Sequence, residues 1–178
     1  MSVTYATTLK TSRMTAVRDA INTGTLELGT TAMAVTISSA TLNASAGTIS
    51  GAVLTLSGFP KSSAASAGGR VAAARIRNAS AVDQITGLTV GMSATAWAAS
   101  TAYAVGNLRA NGAGVYRVTV AGTSAASGGP TGTGSAITDG SVTWEYLALS
   151  SADLILDAVD ITAGQTVTIN ASPTFTHA

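Results

Sequence analysis

Beyond Gly24 the apolar residues of this chain come in runs too short for helices, cut repeatedly by Gly, Ser, Asn and Asp. TLELG, AMAVTIS, ATLNA, GAVLTLSGF, GRVAAARIRNA, DQITGLTVG, DLILDAV and QTVTINA read as strands, most of them rich in side chains that suit a pleated, half-buried surface. Short strands with turn signals about every eight to twelve residues build a sandwich or a barrel. The expected fold is therefore mainly β, a β-sandwich or barrel-like domain. KSSAASAGG, 61–69, reads as a flexible loop between strands. One segment breaks the pattern. In TLKTSRMTAVRDAIN, 8–22, Leu9, Met14, Val17, Ala20 and Ile21 recur at helical spacing. Thr7 or Thr8 can cap its start, and Gly24 stands where a left-handed cap is favoured.

Charge narrows the function classes. Only 10% of the residues are charged, against roughly 25% in ordinary soluble domains. The polar surface must then be made of Ser, Thr, Asn and Gly, which protects poorly against association. Such a chain suits life inside an assembly better than life as a free cytosolic enzyme. The few charges are unevenly placed: the segment up to residue 77 carries a net +5 and the remainder −4. Opposite halves can attract within one protomer or between neighbours. Seven basic residues spread over that first segment, with no aromatic interleaving, do not make a nucleic-acid stripe. No membrane span is expected, because no 18-residue run is free of polar side chains. The opening MSVTYATTLKTSRM has no apolar h-region, so no signal peptide is expected, and the absence of Cys is consistent with synthesis in a bacterial cytoplasm. On the helix, Lys10 and Arg18 flank the apolar arc and Arg13 falls close to it. They either snorkel over a packed stripe or form a basic edge for an acidic partner. Arg75 and Arg77 share one strand face, expected to be exposed.

Aromatic residues are concentrated. Trp97, Tyr103, Tyr116, Trp144 and Tyr146 fall within fifty positions, and the other three of the chain's eight are scattered. A few short strands cannot bury much aliphatic surface, whereas Trp and Tyr, burying ~150–250 Å² each, can supply a small core. Trp97 and Trp144 are expected inside it; Tyr103, Tyr116 and Tyr146 are expected to be the more exposed rings. ITDGSVTWEYL reads as an Asp-Gly turn leading into a strand on which Val142, Trp144 and Tyr146 share a face.

The residues offer little chemistry. The single His, His177, is next to last and is expected in a frayed tail. Asp153, Asp157 and Asp160 lack the dense loop spacing of a calcium site and read as solvated turn acids. GTSAASGGPTGTG has glycines but no Lys and no following helix, so it is not a phosphate loop. With no Cys, thiolate metal sites and disulfides are excluded. Neither enzyme activity, nor a cofactor, nor a metal is expected.

The pattern W-x5-Y-x2-G, then VYRVTVAGTSAASGGPTG and ITDGSVTWEYL, resembles a small β module of phage tail and other virion proteins. It is also similar, more loosely, to short chitin-binding-type carbohydrate modules, with Asn107 in place of their usual acidic residue. The flanks, LKTSRMTAVRDAINTGTLELG and DLILDAVDITAGQTVTINASPTFTHA, resemble small phage and prophage structural proteins. Joining GLTVG to SSADLILD restores an uninterrupted run of that kind. The implied organisation is a discontinuous β domain, 1–92 plus 149–178, with residues 93–148 inserted as an aromatic-core module. The implied function is that of a virion structural protein, a capsid decoration (cement) protein on the capsid exterior. Its partners would be the major capsid protein and further copies of itself, a trimer suiting quasi-threefold positions, with no nucleic acid and no membrane. Lys10, Arg13 and Arg18 are then the candidate shell contact. The alternative is a tail or fibre component whose insert stacks a host glycan on Tyr103, Tyr116 and Tyr146, or else a head–tail connector or tail-tube subunit.

Overall fold

A computed structural model of the protein describes residues 5–176; His177 lies outside them. The fold is mainly β with one N-terminal helix. A four-stranded sheet runs in the order Thr36–Thr41, Thr25–Gly29, Ala73–Arg77, Asp83–Leu88. At Thr89 the chain steps out of it into an eight-stranded sheet. That sheet runs in the order Leu108–Asn111, Gly114–Val120, Val142–Leu149, Val90–Met92, Leu154–Leu156, Thr166–Ile169, Lys61–Ala64, with Ile137–Asp139 alongside Val142–Leu149. The Thr89 step is fastened by Asp153, whose Oδ2 accepts both the Thr89 amide (2.8 Å) and its hydroxyl (2.7 Å). On the far side Ser38 bridges to Ala65, so the two sheets approach each other there too. A three-stranded sheet, Thr174–Thr176, Val53–Leu56, Gly47–Ser50, lies under the helix.

Alternation places the core. Leu26, Leu28, Ile37, Leu54, Leu56, Ile76, Leu154, Leu156 and Ile169 are buried almost completely, each contributing ~1.5–3 kcal/mol of burial. Arg75 and Arg77 point the other way on their strand, but they are half-buried rather than open to solvent. Glu27 on the neighbouring strand and Asp83 at the hairpin hold them down.

The helix spans Thr7–Ile21 and buries Met14 and Ile21. Leu9 stays 43% exposed, so the apolar stripe is narrower than its sequence spacing suggested. The N-cap is Ala6, with no side-chain bond. The early hydroxyls serve the helix interior instead, Thr11 donating to the Thr7 carbonyl and Ser12 to that of Thr8. At the C-terminal end the left-handed residue is Thr23 (φ 56°), not Gly24. The Thr23 amide bonds the Asn43 carbonyl and reverses the chain one residue early. Gly24 is needed for another reason: a Cβ there would lie 2.0 Å from the Arg77 carbonyl oxygen.

Several strand readings change: GRVAAARIRNA divides into Gly69–Arg70 and Ala73–Arg77, which lie in different sheets, and DQITGLTVG divides at Thr89. AMAVTIS and ATLNA contribute to a single strand, Thr36–Thr41, preceded by a tight turn at Thr31–Met33. The expected loop 61–69 opens as a strand, because Lys61–Ala64 pairs residue for residue with Thr166–Ile169.

Candidate functional site

The aromatic stretch is built on one long hairpin. Leu108 faces Arg117, Ala110 faces Val115, and in the same register Ala102 faces Thr123 and Tyr103 faces Gly122. The turn falls at Gly112–Ala113, where Gly112 takes φ 57°. Its two faces meet different surroundings. Tyr103, Tyr116 and Val118 join Val142 and Trp144 in an aromatic cluster, with Trp97, Ile137 and Tyr146 packed at its margin. Val115 belongs to the main aliphatic cluster, and Leu108 and Ala110 pack against it. On the strand Val142–Leu149 the register slips: Tyr116 pairs with Tyr146, but Val115 pairs with Ala148. Leu147 is the extra residue, and both Leu147 and Ala148 enter the main cluster. The strand thus begins in one core and ends in the other.

One carboxylate organises the aromatic cluster. Asp139 is only 5% exposed. Its Oδ2 accepts the indole N–H of Trp97 (2.8 Å) and that of Trp144 (3.2 Å), while Oδ1 accepts the Ala125 amide (3.0 Å). The Asp-Gly turn, which accounts for the acid in sequence, also aims it at both tryptophans. Trp144 is fully buried, with the Tyr103 ring edge-on to it at 5.0 Å.

Tyr103 and Tyr116 are not surface rings. They are 4% and 3% exposed, because strand alternation turns them toward Trp144. The Tyr103 hydroxyl donates to the Ala98 carbonyl and accepts the Ala98 amide, and the Arg109 guanidinium lies over its ring. The Tyr116 hydroxyl donates to the Gly132 carbonyl (3.1 Å). Only Tyr146, edge-on to Tyr116 at 5.8 Å, is half-exposed. Burial raises the pKa of both Tyr116 and Tyr146. The two rings floor a cleft of about 330 Å³ between the hairpin turn at 111–114 and the loop at 131–133. Asn111 pins that loop, donating to the Gly128 (2.9 Å) and Pro130 (3.0 Å) carbonyls.

The charges form two closed rings. In the first, Arg75 and Arg77 each contact both Glu27 and Asp83. The second joins Arg70, Asp160, Arg117 and Glu145. The opposite charges of the two sequence halves therefore meet within one protomer. For Asp160, burial pushes the pKa up, but the Arg70 hydrogen bond and the charges of Arg70 and Arg117 prevail and lower it. The other acids considered as a cluster are engaged separately. Asp153 holds Thr89, and Asp157 Oδ1 accepts the Thr168 amide (3.0 Å).

Lys10, Arg13 and Arg18 are all half-buried on the helix. Arg13 lies over the Tyr5 ring at 4.2 Å and Arg18 pairs with Asp19 at 2.7 Å. The helix's exposed crown carries Thr8, Ser12, Ala16 and Asp19 instead. No protein-family model and no curated protein matches this chain.

Proposed function

We propose that this chain is a phage virion structural protein that decorates the capsid exterior as a cement, bridging adjacent copies of the major capsid protein. The observation that carries the reading is how the chain disposes of its charge. Four arginines and four carboxylates neutralise one another in two rings within the protomer. The surface of a β-rich body is thereby left with few unpaired charges among its Ser, Thr, Ala and Gly, a surface suited to burial against neighbours. The role is non-catalytic, involves neither nucleic acid nor membrane, and is exerted as a small homo-oligomer such as a trimer. Binding energy spread over contacts that exist only in the assembled lattice stabilises that lattice by mass action. The shell contact proposed is the helix: Lys10, Arg13 and Arg18 beside the exposed Tyr5 and Leu9. Heating shells with and without the protein tests this: equal stability rejects the cement role. Counting copies adds a second check, since a handful at one vertex would instead indicate a head–tail connector or tail-tube subunit.

The cleft over Tyr116 and Tyr146 favours a second reading, a tail or fibre component whose aromatic segment binds a host glycan. No charged side chain lines the cleft, which suits a neutral sugar ring. Glycan-array binding that is lost in Tyr146→Ala would support it; absence of binding at millimolar sugar rejects it.

A further inference from the structure

Two cross-strand pairs meet where the aromatic segment joins the body. Arg70 stands directly opposite Asp160 on the short ladder of Gly69–Arg70 with Asp160–Ile161, and the two bond at 2.7 Å. Arg117 stands directly opposite Glu145 on the hairpin sheet, bonding at 2.6 Å. Each arginine also reaches the other's partner: Arg117 contacts Asp160 at 2.9 Å, and Arg70 contacts Glu145 at 3.5 Å. Arg70 in addition donates to the Tyr146 carbonyl at 3.0 Å, one residue before the register slip. The ring thus sits where Val142–Leu149 passes from the aromatic core to the aliphatic one. Backbone pairing at this joint is thin. Val142–Leu149 shares with Val90–Met92 a single parallel ladder pair, Leu149 with Gly91.

We propose that the Arg70–Asp160–Arg117–Glu145 ring is an ionic latch that fixes the aromatic segment against the body, and that opening it loosens the joint while leaving the aromatic cluster assembled. The exchange of partners is what makes it a latch. Either cross-strand pair alone would tie a strand to its own neighbour; the crossed contacts tie one sheet to the other. All four side chains retain solvent access, with 18–40% of their surface exposed, so mobile ions can reach the ring. The second ring, around Glu27, lies within one sheet and serves as an internal control.

The test is amide hydrogen exchange on the full chain at low salt and at about 1 M NaCl, where the screening length falls to roughly 3 Å. In the wild type, exchange at Val90–Met92 and Leu147–Leu149 should rise about tenfold with salt, the behaviour of a local opening. Val118 and Trp144 should keep their protection and the tryptophan emission should not move. Arg70→Met should show the fast exchange already at low salt and little further response, whereas Arg75→Met should leave the joint as in the wild type. Joint exchange indifferent to salt in the wild type overturns the proposal, whether or not the variants fold. So does a uniform loss of protection with shifted tryptophan emission, which would mean that the ring supports the whole fold.

Discussion

Trp97 and Trp144 donate their indole N–H groups to the same oxygen, Oδ2 of Asp139, at 2.8 and 3.2 Å. No other tryptophan exists in the chain, so its indole fluorescence reports on this one carboxylate. Asp139→Ala leaves two indole N–H groups and the Ala125 amide without their acceptor. Only the Trp144 donor is fully buried, the Trp97 and Ala125 donors being part-buried. At ~1–3 kcal/mol per orphaned buried donor, a loss near the low end for three donors, about 3 kcal/mol, is therefore expected, with a red shift of the native emission. Asp139→Asn keeps one acceptor oxygen and should lose roughly half as much. Urea unfolding followed by fluorescence checks both values; an unshifted midpoint for Asp139→Ala would show that the shared acceptor is energetically idle.

The double-faced hairpin predicts that two neighbouring truncations act differently. Trp144→Ala empties the centre of the aromatic cluster and should cost ~3–5 kcal/mol there, while the helix signal in circular dichroism persists to the wild-type midpoint. Leu147→Ala opens the main cluster and should cost ~2–4 kcal/mol, lowering the helix and tryptophan transitions together. Coincident transitions in both variants would mean that the two cores unfold as one.

Asp160 makes the ring sensitive to acid. Its pKa is lowered in the folded state, so the stabilisation it gives is present above the ordinary aspartate value near ~3.9 and is lost as pH falls through the lower folded value. The wild type should exceed Asp160→Asn in urea midpoint at pH 7. The gap should close only in strong acid, below the ordinary carboxylate range. A gap already closed at about pH 5 contradicts the lowered pKa.

Gly91 is fixed by close approach. A Cβ there would lie 2.5 Å from the Leu149 carbonyl oxygen and 3.1 Å from the Ala152 side chain. Gly91→Ala must push the parallel partner strand away, with an expected cost of ~1–3 kcal/mol. Val90–Met92 should lose exchange protection before any other strand of the body. A neutral substitution would show that the joint yields freely.

Much of this architecture was legible where the signal is local. The helix was placed to within a residue at each end, and strands such as Thr25–Gly29 and Thr166–Ile169 follow from their alternation. Lys61–Ala64 reads as loop because Ser and Ala carry no strand preference of their own. Its ladder is imposed by partners a hundred positions away. The burial of Tyr103 and Tyr116 is hidden from the sequence for a related reason. Alternation shows that Tyr116 and Val118 share a face, but not that Trp144 comes to rest on it. In the sequence Asp139 reads only as a turn residue. The available clue was an acid within five positions of one tryptophan in a segment where both indoles need acceptors.

The parallel pairing of Gly91 with Leu149 makes everything between them a crossover connection. Parallel neighbours cannot be joined by a tight turn; they require a connection of about a dozen residues or more, and its upper length is scarcely bounded. Closing a longer loop costs only ~0.6 kcal/mol per doubling. The two strand ends therefore act as a fixed socket, side by side and pointing the same way, between which this chain carries a hairpin, the loop pinned by Asn111 and the short strand Ile137–Asp139. A lineage could lengthen, shorten or replace that passage without altering the order of strands on either side of it.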